Sequence, residues 1–146
     1  MWDDHDYARN NAGAENPIKN LIRTAYLDFV DEEPSSPRRD QRQRNGIYEH
    51  YYLQAGKGSN AIRVHLILLD IRWAWDKKSG NILGDEQWEW LSRILKEDEH
   101  RSHFTLITTG VQFNQNEAFS IQTWLELKEF WPSHERTRLL GILAQE

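Results

Sequence analysis

Residues 61–72, Ala-Ile-Arg-Val-His-Leu-Ile-Leu-Leu-Asp-Ile-Arg, decide how the rest of the chain is read. Apolar and polar side chains alternate at the start, and the run then becomes continuously apolar up to Leu69. Alternation marks a strand with one face on a core, and a continuous apolar run marks one covered on both faces. The reading is a strand over 61–69 whose far end lies deep in a sheet covered on both sides. Upstream, 47–54 (Ile-Tyr-Glu-His-Tyr-Tyr-Leu-Gln) is aromatic and β-branched enough to be a second strand. Gly56-Lys57-Gly58-Ser59-Asn60 reads as a turn, so the two strands are expected to pair as an antiparallel hairpin. Downstream, 104–113 (FTLITTGVQF) is read as a third strand of the same sheet.

Helices flank this sheet in the sequence. Ile18, Leu21, Ile22, Ala25, Tyr26, Phe29 and Val30 fall on one helical stripe. Asn16 reads as an N-cap with Pro17 at the first helical position, giving a helix over 17–30. Asp85 and Glu86 open a second helix, 85–97, with Trp88, Leu91, Ile94 and Leu95 as its buried face. Ser133 reads as the cap of a third, 134–145, faced by Leu139, Leu140, Ile142 and Leu143, and 121–129 reads as a short helix. Residues 1–16, 31–45 and 70–83 read as loops. The fold class is mixed α/β, a mixed sheet with flanking helices. The chain starts in a polar loop and stops after a helix, and this order is expected of a part cut from a larger domain.

Composition narrows the function. Eighteen Lys and Arg against 23 Asp and Glu give a net charge of −5, which argues against a nucleic-acid-coating surface. No apolar run reaches the ~20 residues of a membrane span, and no apolar signal segment opens the chain. Cysteine is absent, which removes disulfides, thiolate ligands and a cysteine nucleophile.

The densest group of reactive side chains is Asp3, Asp4, His5 and Asp6, with Asn10 and Asn11 close behind. Carboxylates, amides and a histidine suit hard or borderline metal ions, while plain solvation of an acidic segment accounts for the same residues. Asp70 and Arg72 stand at a strand end, where ligands of α/β sheets bind. Arg72 either meets an anionic ligand bidentately or pairs with Asp70 or another carboxylate to hold the loop. Arg38, Arg39, Arg42 and Arg44 share their loop with acids and read as a solvated face. His50, His65, His100, His103 and His134 read as surface or packed histidines. No Walker loop, GxGxxG or GxSxG is present.

Several stretches together resemble the alkaline phosphatase D (PhoD-like) family of metallophosphoesterases. Trp2-Asp3-Asp4-His5-Asp6 with Asn10-Asn11-Ala12-Gly13 is similar to the family's WDDH motif. Leu27-Asp28-Phe29, Ser36-Pro37-Arg38-Arg39 and Gly46-Ile47-Tyr48 are similar to its spacer between motif and sheet. Leu68-Leu69-Asp70-Ile71-Arg72-Trp73 resembles its strand end. Ile82-Leu83-Gly84-Asp85-Glu86-Gln87-Trp88-Glu89-Trp90-Leu91 resembles its ILGxxQWxWL segment, and Glu135-Arg136 through Leu139-Leu140 its late helix.

The resemblance implies metal-dependent hydrolysis of a phosphate ester on a metallophosphoesterase sandwich, with this chain as the central part of the catalytic domain. It places Asp4 and Asn10 at metal-ligand positions and His5 and Arg72 at catalytic ones. Asp3, Asp6, Asn11 and Asp70 are supporting residues. The ions implied are iron, calcium or manganese. The family's earlier ligand segments and its later GDVH-like segment have no counterpart here. The chain alone is therefore expected to be inactive and to expose apolar sheet faces. A non-catalytic remnant or binding module of the same fold is the competing reading.

Overall fold

The computed structural model describes residues 1–9, 11–97, 102–114 and 131–145. Among these the chain is mixed α/β, with four α-helices and one three-stranded sheet. The order is α1 (Asp4–Tyr7), α2 (Lys19–Phe29), a 3₁₀ turn (Pro37–Arg39), β1 (Glu49–Ala55), β2 (Ile62–Leu68), α3 (Gly84–Glu97), β3 (Phe104–Thr108) and α4 (Ser133–Leu143). The predicted helix at 121–129 lies outside the described residues.

The hairpin forms as its alternation and glycine turn require. β1 and β2 pair antiparallel, with Tyr52 opposite His65 and Gln54 opposite Arg63. β3 joins β2 in parallel, Leu66 opposite Leu106, so β2 is the central strand. β3 stops at Thr108, five residues short of the expected 113, because the chain turns away at Thr109 and Gly110. One face of the sheet carries Ile67 into a core with Trp88, Leu91, Ile94 and Leu95 of α3 and with Trp131 and Leu139. No described helix packs on the opposite face, where Met1 lies against Thr108 at the end of β3. This corrects the expectation that the end of β2 is covered on both sides: Ile67 and Leu69 are buried, while Leu66 and Leu68 are only half-buried.

The first helix corrects another reading. Residues 3–7 were expected as loop, but Asp3 and Asp6 form a reciprocal capping box and the backbone closes one helical turn. The Asp3 carboxylate accepts from the His5 and Asp6 N–H groups, at 2.8 and 3.2 Å, and Asp6 accepts from Asp3 N–H at 3.1 Å.

The stripe of α2 is the third correction. Leu21 and Phe29 are 68% and 86% exposed, while Arg23 and Leu27 are buried. The helix turns this way because Arg23 has partners inside. Its guanidinium donates to the Arg44 carbonyl at 3.0 Å and lies over the Trp73 ring. Ile22 and Tyr26 are the stripe residues that still pack on the core with Trp2, Tyr7 and Leu27. The helix also begins later than Pro17. Asn16 is buried and accepts the Ile18 N–H at 3.2 Å, ahead of the first helical residue Lys19.

The loop 31–45 is not a freely solvated arginine face. Arg38 is buried, pairs with Glu32 and donates to the Ile47 carbonyl at 2.9 Å. Arg39 pairs with Asp28 at 2.6 Å and Arg44 with Glu49 at 2.6 Å. Only the Arg42 pair with Asp40 stays open to water on the arginine side. Ser133 is the first helical residue of α4 rather than its cap, and Leu140 of the expected face is half exposed.

Candidate functional site

The loop after β2 is organised by one carboxylate. Asp70 is fully buried, and its Oδ1 accepts from the backbone N–H of Arg72 and Trp73 at 2.9 and 3.0 Å. The same oxygen accepts from Trp2 Nε1 at 2.9 Å, while Oδ2 accepts from Ile47 N–H at 2.9 Å. Two segments far apart in sequence are therefore fastened to the end of β2. Gln87 of α3 adds a clamp, accepting from Asp70 N–H at 2.8 Å and donating to the Asp70 carbonyl at 2.7 Å. Gly46 makes the close approach possible. It has φ +115°, and a Cβ there would stand 2.7 Å from Asp70 Oδ2.

Through Trp2, Asp70 carries the turn of α1 to the strand end. The Asp4 carboxylate is buried beside it, with Oδ2 accepting the Asn11 N–H at 3.0 Å and Oδ1 3.7 Å from an Arg72 amino group. Arg72 has no exposed surface, and its guanidinium lies 4.3 Å above the Trp75 ring centroid. His5 points outward, its Nε2 4.0 Å from Asp4 Oδ2 and its side chain mostly exposed. Burial pushes the Asp4 carboxyl upward, but the Asn11 N–H, Arg72 and His5 outweigh it and hold the group below its ordinary value. Asp4 is thus an ionised carboxylate at neutral pH, held by the Asn11 N–H and by the buried Arg72.

Asp4 lies beside His5 and Arg72, and Asp70 serves as a backbone hub that accepts the Arg72 N–H. Among the described residues, the carboxylate facing the Arg72 guanidinium is Asp4. Asp3 and Asp6 build the turn that carries Asp4 and His5. Asn11 adopts a left-handed conformation, φ +59°, and its buried Oδ1 makes no hydrogen bond. Asn10 lies outside the described residues. Three contributors escaped the sequence reading: the Trp2 indole as a tether, the Trp75 ring under Arg72, and Gly13. A Cβ on Gly13 would run into the Trp75 carbonyl oxygen, which accepts the Ala14 N–H at 2.8 Å. A tryptophan set in otherwise polar, irregular sequence was the signal for the first.

For a hard metal ion the donors fit in part. The Asp4 carboxylate and the orphaned Asn11 Oδ1 are oxygen ligands of the right type. Among the described residues no group of three His, Asp, Glu or Cys side chains converges. No family model, no curated protein and no solved structure matches this chain.

Proposed function

We propose that α1, the Asn11 turn and the Arg72 loop form part of the metal and phosphate centre of a metal-dependent phosphoester hydrolase, and that the chain corresponds to the central part of such a sandwich domain. The observation that carries this reading is the fixed Asp4 carboxylate. It is held ionised by the Asn11 N–H and a fully buried arginine, next to an exposed histidine and an amide oxygen with no partner. The motif resemblance at residues 2–13 points to the same residues.

In this reading Asp4 is the metal ligand, and Asn11 Oδ1, with Asn10, offers further oxygen. A bound ion, iron, calcium or manganese, supplies Lewis acidity toward a phosphoryl oxygen and an activated water. His5, open to solvent, reaches the ester and either donates a proton to the leaving oxygen or stabilises charge on it. Arg72 acts from beneath, keeping Asp4 charged and oriented, because its own guanidinium is closed off from solvent. Asp3 and Asp6 hold the turn, and Asp70 holds the turn against the sheet.

One observation favours the competing reading of a non-catalytic domain. Asp4 already has an arginine and a backbone N–H as partners, and no third ligating side chain stands nearby among the described residues. A thermal-shift titration separates the two. Inorganic phosphate together with manganese is expected to raise the melting temperature of the wild-type chain, and Asp4→Asn or His5→Ala to remove that gain. Equal shifts in all three proteins, or none in any, would support the non-catalytic reading.

A further inference from the structure

We propose that Asn45 is a site of self-modification, where the Gly46 backbone nitrogen closes on the Asn45 side chain and water opens the ring to aspartate and isoaspartate. The inference is independent of the phosphoester reading. Asn45-Gly46 is the single Asn-Gly pair in the chain. Glycine has no Cβ, so its own side chain neither shields the attacking nitrogen nor restricts the backbone rotation that brings it to the side-chain carbon.

The hydrogen bonds single out the same position. Of the asparagines whose following residue is described, Asn45 alone precedes a backbone N–H that makes no hydrogen bond to the described residues. After Asn11, the Ala12 N–H donates to the Arg9 carbonyl at 3.0 Å. After Asn20, Leu21 donates to Ile18 at 3.0 Å, and after Asn60, Ala61 donates to Gly58 at 3.2 Å. After Asn81, Ile82 donates to Glu135 at 3.3 Å, and Asn16 precedes Pro17, which has no N–H.

The Asn45 side chain is exposed, so water reaches it. Its tie is to α3, where Nδ2 donates to Glu86 Oε2 at 2.7 Å, beside the Asn45 N–H on Oε1 at 3.0 Å. At an exposed position water replaces such a bond at little net cost, and the carboxamide can then turn toward Gly46.

The chemistry needs water alone. A base from solvent takes the proton of the Gly46 N–H, and the nitrogen bonds to Asn45 Cγ. The Cγ–Nδ2 bond breaks, and Nδ2 leaves with a proton as ammonia. One water then opens the five-membered imide. Cleavage between the nitrogen and Cγ gives aspartate, and cleavage on the backbone-carbonyl side gives isoaspartate. Water enters, ammonia leaves, and nothing is oxidised or reduced.

Both products disturb the join between the hairpin and α3. Aspartate sets a carboxylate against Glu86, which also accepts the Tyr48 hydroxyl at 2.9 Å, so repulsion replaces a hydrogen bond. Isoaspartate adds a carbon to the main chain between two anchors. One is the Arg44 carbonyl, which accepts from Arg23 at 3.0 Å, and the other is the Ile47 N–H, which donates to Asp70 at 2.9 Å.

The experiment is peptide mapping of the whole folded chain, aged in mildly alkaline buffer. A glutamate-specific protease leaves Asn45-Gly46 internal to its fragment, and a sample taken before ageing gives the baseline. The fragment is expected to gain the mass of an amide-to-acid exchange before any fragment carrying Asn20, Asn60 or Asn81. Isoaspartate is expected as the main product, and Asn45→Gln is expected to show no gain. Asn45→Asp is expected to melt on the order of 2–4 °C below wild type, and adding Glu86→Gln to restore most of that loss. An unchanged mass would overturn the proposal, as would conversion at Asn20, Asn60 or Asn81 as early as at Asn45. Aspartate without isoaspartate would overturn the ring-closing route. A double variant melting no higher than Asn45→Asp would overturn the clash with Glu86.

Discussion

The Asp70 carboxylate ties two segments far apart in sequence to the end of β2. Four N–H donors converge on a carboxylate with no access to water, and two of them come from the turn at Trp2 and the start of the hairpin at Ile47. Removing the acceptor leaves those donors buried and unpaired, each at a cost of ~1–3 kcal/mol. Asp70→Ala is expected to lose about 4 kcal/mol in urea unfolding. Gly46→Ala is expected to lose about 2 kcal/mol, through its positive φ and the Cβ that would crowd Asp70 Oδ2. Because both act on one contact, the double variant should lose clearly less than the sum, and strict additivity would refute the shared origin. Sequence reading found Asp70 and Arg72 by their place at a strand end. It left open which carboxylate Arg72 meets, because that depends on Trp2 folding back across 68 positions, and no local periodicity encodes such a contact.

At the level of elements, legibility followed the strength of the local pattern. Period-two alternation and a glycine turn gave the hairpin, and α3 was legible from its apolar spacing and acidic first turn. The one-turn helix α1 was not, since its stability lies in the Asp3–Asp6 cap and not in a stripe. The burial of α2 was misread because a helix with apolar residues on one side can still seat Arg23 and Leu27, when the core offers a carbonyl and an indole to the guanidinium. Between β1 and β2 a histidine pair carries a pH signal. His50 Nδ1 and His65 Nε2 are 2.9 Å apart, and Tyr52 stacks on His65. Burial lowers the His50 pKa from 6.5; Arg44 and Arg93 add to this, and Glu49 and Glu97 oppose it. A neutral His50 is favoured by folding, so its contribution is complete above pH 6.5 and is lost as pH falls from there toward the depressed folded value. The melting temperature should therefore decline on mild acidification, and His50→Phe should flatten that decline. An identical slope in the variant would place the acid sensitivity elsewhere.

Among the described residues, the molecule is a three-stranded sheet with one face on a helical core, and with the cluster of Asp4, His5 and Arg72 at the end of its central strand. In the sequence, the motif resemblance gave those residues metal-ligand and catalytic roles. The number of ligands around them was not legible, because it depends on which side chains the fold brings together. A two-metal centre positions both water and leaving group, and such positioning supplies ~7–11 kcal/mol of barrier reduction. On the proposed reading, in which Asp4 and the Asn11 amide are the described donors, the chain alone is expected to show no metal-dependent turnover of nitrophenyl phosphate monoesters or diesters. Turnover abolished by Asp4→Ala would mean that a second copy completes the site. The most direct test of the central claim is manganese binding, read from the loss of the free-ion electron paramagnetic resonance signal as the purified chain is titrated. The account predicts one weak site per chain, roughly millimolar as befits few oxygen ligands, present in wild type and absent in Asp4→Asn. Equal binding by the wild-type and Asp4→Asn chains would contradict it.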